Sequence, residues 1–144
     1  MKVKTSKLGK IKHPSVKALK KKAWTEFSKF IRTRDCLLTT GTKTEGICIS
    51  CGRRVEFSNC DAGHFISRSK TATLFHEKNV NLQCKSCNAF SDARVFDVYR
   101  INLIKKWGKG TDIEIEEKSL EIKKFTPYEL QELIEVYKKK VEEL

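Results

Sequence analysis

Cys48-Ile-Ser-Cys51-Gly52, Asp61-Ala-Gly-His64-Phe65 and Asn79-Val-Asn-Leu-Gln-Cys84-Lys-Ser-Cys87-Asn88 punctuate residues 48–88, and the fold turns on how they are read. Two Cys-x2-Cys pairs, Cys48/Cys51 and Cys84/Cys87, have 32 residues between them. Each pair suits a tight turn that aims both sulfurs at one tetrahedral ion, so a structural Zn²⁺ site is expected. Disulfides are the competing reading. Against them stand the doubled spacing and a lysine-rich opening without an apolar signal region, which imply a reducing, cytoplasmic setting. Cys36 and Cys60 are left over and read as small buried apolar side chains.

The chain has 144 residues, one domain's worth, and a third of them are charged, so the core is modest and a central metal ion would add folding free energy. No apolar run reaches the length of a membrane span, and a soluble protein is expected. The net charge of +12 is unevenly placed. Residues 1–34 carry +11, residues 35–110 carry +5 and residues 111–144 carry −4. Basic charge ahead of and on the cysteine module points to a polyanion partner, most simply nucleic acid.

Working outward, residues 1–14 alternate lysine with small or apolar residues and read as a flexible basic arm. From Ser15, an N-cap residue, Val16, Leu19, Ala23, Phe27, Phe30 and Ile31 recur at helical steps, predicting an amphipathic helix that ends near Asp35. Lys17, Lys20, Lys21, Lys22, Arg32 and Arg34 fall mainly off its apolar stripe and become candidate phosphate contacts; Trp24 reads as core or core edge. Arg53–Phe57 and Ala62–Ser67 have strand character around Ser58-Asn59, predicting a hairpin. Ser67–His76 reads as an exposed connection whose Arg68 faces DNA. Helical spacing runs from Asn88 to Lys106, stopped by Gly108 and Gly110. Residues 111–124 are ambiguous between strand and helix. Thr126-Pro127-Tyr128-Glu129 is a capping box opening a last helix to Leu144. The domain organisation is therefore an arm (1–14), a zinc-bearing domain with its basic helix (15–110), and a C-terminal helical extension (111–144), packed on that domain or serving a dimer interface.

A histidine-bearing hairpin, an asparagine loop and a helix starting at the second cysteine pair resemble, in that order, the ββα-metal or HNH nuclease site. The fold class expected is accordingly α+β, mainly helical, with a zinc-stapled HNH-like core. In such an arrangement the histidine takes a proton from water attacking a phosphodiester, while residues at the hairpin and helix start hold a divalent cation against the phosphate. His64 is the candidate base, Asn79 its orienter, and Asn88 the helix-start ligand for catalytic Mg²⁺ or Mn²⁺. Arg53, Arg54, Arg68 and Lys85, with Lys20, Lys21, Lys22 and Arg32, are the candidate DNA-binding residues. His76 reads as a surface or packing histidine.

Through Leu19–Asp35, Cys48–Gly52, Asp61–Arg68, Asn79–Cys84 and Cys87-Asn88 the chain resembles the phage lambda NinG/Rap recombination-protein family. The resemblance implies a metal-dependent endonuclease acting on branched DNA, Holliday junctions and D-loops, in phage recombination, within the host cytoplasm. One departure bears on the metal. Common HNH motifs carry an acid directly before the histidine, whereas position 63 is glycine and the nearest acid, Asp61, is three residues before His64. Either a bulge at Gly63 brings Asp61 round to the cation, or His64 is itself a ligand. Asp92 is a further candidate, one helical turn past Asn88 and so on the same face. The rival to the enzyme is a non-catalytic zinc-knuckle DNA-binding accessory protein, supported by Gly63; an RNA-binding zinc protein is a third reading. Symmetric resolution of a four-way junction would favour a homodimer.

Overall fold

The computed structural model describes residues 12–90 and 92–144; most of the expected basic arm lies outside them. Helix α1, Val16–Thr40, opens as expected, with Ser15 Oγ accepting the Ala18 N–H at 3.1 Å. It continues past Asp35, because no breaker occurs before Gly41, which closes it at φ 74° and donates its N–H to the Leu37 carbonyl. Leu19, Ala23, Phe27, Phe30 and Ile31 form its buried stripe. Full burial of a side chain such as Phe27 contributes about 1.5–3 kcal/mol.

That stripe has two partners. Helix α5, Pro127–Glu142, begins at a complete capping box, Thr126 and Glu129 each bonding the other's backbone N–H. It lays Leu130, Ile134 and Tyr137 on α1, with the Tyr137 ring edge-on to Phe27 at 4.8 Å between centroids. The other partner is a two-stranded ribbon, β3 (Cys60–His64) antiparallel to β4 (Val80–Cys84), whose Ala62 and Val80 pack against Phe27, Phe30 and Ile31.

The expected hairpin between Arg53–Phe57 and Ala62–Ser67 does not form. Strand β2 (Arg54–Glu56) pairs instead with β1 (Glu45–Ile47), and residues 57–59 make a 3-10 turn that redirects the chain rather than reversing it. Strand β3 is left to pair with β4, every residue of which is buried. The connection 67–76 is not wholly exposed either: Thr73 and Leu74 are buried.

The helix expected over Asn88–Lys106 is two helices, α2 (Lys85–Ala89) and α3 (Ala93–Trp107). Asp92 caps the second by accepting the Val95 N–H at 2.9 Å, so it is not on one face with Asn88. Residues 111–119 resolve as a helix, α4 (Thr111–Ser119), with Asp112 and Glu114 in its first turn. Arg100 ties α3 to α4 through Asp112 at 2.7 Å and Glu116 at 2.6 Å.

One buried polar knot joins α1, β4 and α3. Asp35 accepts from Arg34 Nε at 2.8 Å, Lys106 Nζ at 2.7 Å and the Leu82 N–H at 2.8 Å, and Lys106 and Trp107 also donate to Asn81 Oδ1. Arg34 further donates to the Glu77 and Val80 carbonyls. It is a structural residue, not the solvent-facing cation its sequence position suggested. No helix among the described residues is long and apolar enough to cross a membrane.

Candidate functional site

The two cysteine pairs converge. Gly52 (φ 72°) donates to the Cys48 carbonyl to close the first turn, and the second opens α2, with Cys84 Sγ accepting the Cys87 N–H at 3.4 Å. The four sulfurs lie within 4.8 Å of one another, and Cys51 and Cys84 are 3.8 Å apart. A tetrahedral ion with Zn–S bonds of about 2.3 Å spaces its sulfurs by about 3.8 Å. The donor set therefore fits a structural metal such as zinc. Cys36 and Cys60 fall outside this cluster, buried with Val55 and Leu82. Burial pushes the Cys36 thiol up to about 11, which keeps it protonated and inert.

His64 ends β3 on the side facing α1. Its ring stacks on Trp24, centroids 4.9 Å apart and 21° from parallel, and its Nε2 lies 3.1 Å from the Leu74 carbonyl oxygen. A carbonyl only accepts, so Nε2 carries the proton and the neutral ring keeps its lone pair on Nδ1. Nδ1 has no partner among the described residues, nor is it a buried orphan, so it meets solvent. Burial lowers the His64 pKa from its ordinary 6.5, and the Arg68 charge adds to this against the opposing Leu74 carbonyl. The ring is thus a neutral base at cellular pH.

Asn79 does not touch the imidazole. Its carboxamide accepts the Ile66 N–H at 2.7 Å and donates to the Ile66 and Thr73 carbonyls at 3.1 and 3.0 Å. It staples the 65–74 loop, and that loop presents the Leu74 carbonyl to His64. Asn79 thus shapes the backbone that meets His64 and not the ring itself, unlike the direct contact expected.

Asp61 and Asn88 do come together, Asn88 Nδ2 donating to Asp61 Oδ2 at 3.1 Å, while Lys85 Nζ sits 2.9 Å from Asp61 Oδ1. Burial works to raise the Asp61 carboxyl, but those two hydrogen bonds outweigh it and hold it below the usual range. Pairing from Cys60↔Cys84 to His64↔Val80 is one-to-one, so there is no bulge at Gly63. Asp61 and His64 consequently project to opposite faces of β3, about 10 Å apart along the strand. Position 63 has no room for a side chain: a Cβ there would lie 1.8 Å from Gln83 Oε1. Gln83, held by a 2.8 Å bond to Ser50, fills the space beside Gly63.

The expected basic contacts divide. Lys20, Lys21 and Arg68 border a hollow of about 290 Å³ beside His64, together with Lys17, Thr71, Leu74 and Trp24. Lys22 and Arg53 are exposed. Arg32 is spent on Phe57, its guanidinium 4.5 Å over the ring, and Arg54 pairs with Glu45 at 3.1 Å. Sequence reasoning missed the hollow and the Trp24–His64 stack. Lys17, Lys20, Lys21 and Trp24 at steps of three, four and seven were the legible signal; the Leu74 carbonyl, being backbone, left none.

A family model described as Bacteriophage Lambda NinG protein matches residues 2–144. Comparisons with curated proteins and with solved structures returned no match.

Proposed function

Because the chain belongs to the bacteriophage lambda NinG family, a phage recombination-related family, we propose that it is a metal-dependent endonuclease hydrolysing phosphodiesters in branched DNA, with an HNH-like site and a zinc-stapled core. The observation that carries this is the His64 ring: stacked on Trp24, its Nε2–H committed to the Leu74 carbonyl, its Nδ1 without a partner among the described residues, and both Trp24 and Leu74 bordering a hollow lined by cations. Nδ1 takes the proton of the attacking water, and Lys20, Lys21 and Arg68 hold the strand by its phosphates. Lys22 and Arg53 extend the contact to other phosphates.

A divalent cation, Mg²⁺ or Mn²⁺, would neutralise charge developing on the scissile phosphate. Asp61 and Asn88, adjacent to each other, would hold it from the face of β3 opposite His64, so this mechanism requires DNA binding to bring groups of the two faces to one phosphate. Lys85 now holds the Asp61 carboxylate and has to leave it for a cation to enter. The protein acts in the host cytoplasm, and symmetric cutting of a four-way junction would employ a homodimer.

A second reading is favoured by the same strand. With Asp61 and His64 on opposite faces and Lys85 neutralising Asp61, a DNA-binding recombination protein that does not cut accounts for the basic face and the zinc site. A labelled four-way junction and a linear duplex of matched sequence, incubated with Mg²⁺, Mn²⁺ or EDTA, separate the two. Metal-dependent cleavage of the junction by the wild type, lost in His64→Ala with binding retained, supports the enzyme. Binding without cleavage in either metal supports the accessory protein.

A further inference from the structure

The hollow beside His64 has a composition that a groove for duplex backbone does not require. Lys17, Lys20, Lys21 and Trp24 line one face of α1, and Arg68, Thr71 and Leu74 come from the loop that Asn79 staples. Lys17, Lys20, Lys21 and Arg68 make no ion pair among the described residues. No acid borders the hollow, so their charge is presented to an external anion. Its floor is apolar: the Trp24 ring, Leu74 and the lysine stems.

The polar atoms within are few and directed. The Thr71 hydroxyl donates to the Lys123 carbonyl at 2.7 Å, which leaves only its lone pairs to offer. Trp24 Nε1 has no acceptor among the described residues and is not a buried orphan, so its N–H is free. The Arg68 guanidinium lies 5.4 Å from the Trp24 ring centroid, so a cation and an aromatic ring stand together at the hollow. At about 290 Å³ the hollow lies at the lower end of small-ligand pockets, roughly 300 Å³. A volume of that order suits one nucleotide rather than a base pair.

We infer that this hollow is a subsite for one unpaired nucleotide flanking the scissile phosphate, with its phosphate on Lys17, Lys21 and Arg68 and its base against Trp24 and Leu74. The inference rests on the reading of His64 as the hydrolytic base and gives that reading a source of selectivity. A nucleotide already unpaired at a branch enters without breaking a base pair, whereas one in continuous duplex has to be unstacked first. Branched DNA is then chosen by what it leaves unpaired.

The test is binding in EDTA, where nothing is cut, with the full chain. Two labelled probes are titrated at one salt concentration: a short oligothymidylate and a blunt hairpin duplex without unpaired bases. Thr71→Trp fills the hollow without changing charge and is expected to weaken oligothymidylate binding about tenfold while leaving the duplex within about twofold. Lys17→Gln/Lys21→Gln, at exposed positions that cannot disturb the core, is expected to weaken the oligothymidylate more than the duplex. Equal losses on both probes, or no loss on either, overturn the subsite and reduce the hollow to an ordinary phosphate contact. Junction cleavage without this differential sinks the subsite alone; the differential without any cleavage sinks the nuclease reading alone.

Discussion

Trp24 and His64 lie face to face, one from the basic helix α1 and one from the end of β3, with ring centroids 4.9 Å apart. The basic helix thus also covers the imidazole. Burial under Trp24 lowers the His64 pKa below 6.5, with Arg68 acting in the same direction.

The acidic limb of a cleavage pH profile is accordingly expected below pH 6.5 in the wild type and nearer that value in Trp24→Ala, where the ring regains water. Cleavage at neutral pH should fall roughly 10- to 100-fold in that variant through lost orientation. The sign for stability follows from the same shift. Below pH 6.5 the unfolded chain binds a proton that the folded ring resists, so the contribution of His64 is full above 6.5 and lost as pH falls through it toward the depressed folded value. An acidic limb that does not move in Trp24→Ala would show that the stack plays no part in tuning the base.

The cysteine cluster is expected to hold one zinc ion per chain. Cys84→Ser removes a sulfur that also caps α2, so both zinc content and thermal stability should drop. Each kcal/mol lost should lower Tm by about 4 °C in a chain of this size. Metal analysis with thermal melts, with and without chelator, checks it; full zinc retention in Cys84→Ser contradicts the ligand set.

What the sequence made legible was what repeats at a fixed step or spacing. The α1 stripe, the capping box at Thr126 and the doubled cysteine pairs could all be read because their physics is local. The strand pairing could not. Arg53–Phe57 and Ala62–Ser67 have strand chemistry, but whether they pair with each other depends on the 57–59 turn and on competition from the buried strand Val80–Cys84. Arg34 looked like a surface cation because its position within the helix carries no mark of the Glu77 and Val80 carbonyls that receive it. Motif order brought Asp61 toward a shared cation only by way of a bulge at Gly63, so its contact with Asn88 and its direction opposed to His64 both needed the register.

Gly63 and Gln83 form a packing pair across the β3–β4 ribbon. Gly63→Ala places a Cβ 1.8 Å from Gln83 Oε1 and 2.6 Å from its Cδ, and Gln83 is buried and anchored to Ser50. The expected cost is about 1–3 kcal/mol, as for other overpacked sites. Pairing it with Gln83→Ala vacates the space, so the double variant should be more stable than the sum of the two single losses predicts. Denaturant melts of all four proteins give the coupling; strict additivity would mean that the glycine is there for another reason.

Lys85 and a divalent cation compete for one carboxylate. The ammonium sits 2.9 Å from Asp61 Oδ1, and with Asn88 it keeps Asp61 ionised despite partial burial. Removing it in Lys85→Ala leaves an ionised acid beside a carboxamide that has to turn its oxygen in place of Nδ2 to complete an oxygen set for a hard cation. Mn²⁺ affinity, followed by calorimetry or by its paramagnetic signal, should therefore rise several-fold in Lys85→Ala and vanish in Asp61→Asn. Cleavage need not follow affinity, since Lys85 is also placed to meet a phosphate. If Mn²⁺ binds equally well to wild type, Lys85→Ala and Asp61→Asn, the cation site is not at Asp61, and the His64 face, some 10 Å along the strand, becomes the place to look for it.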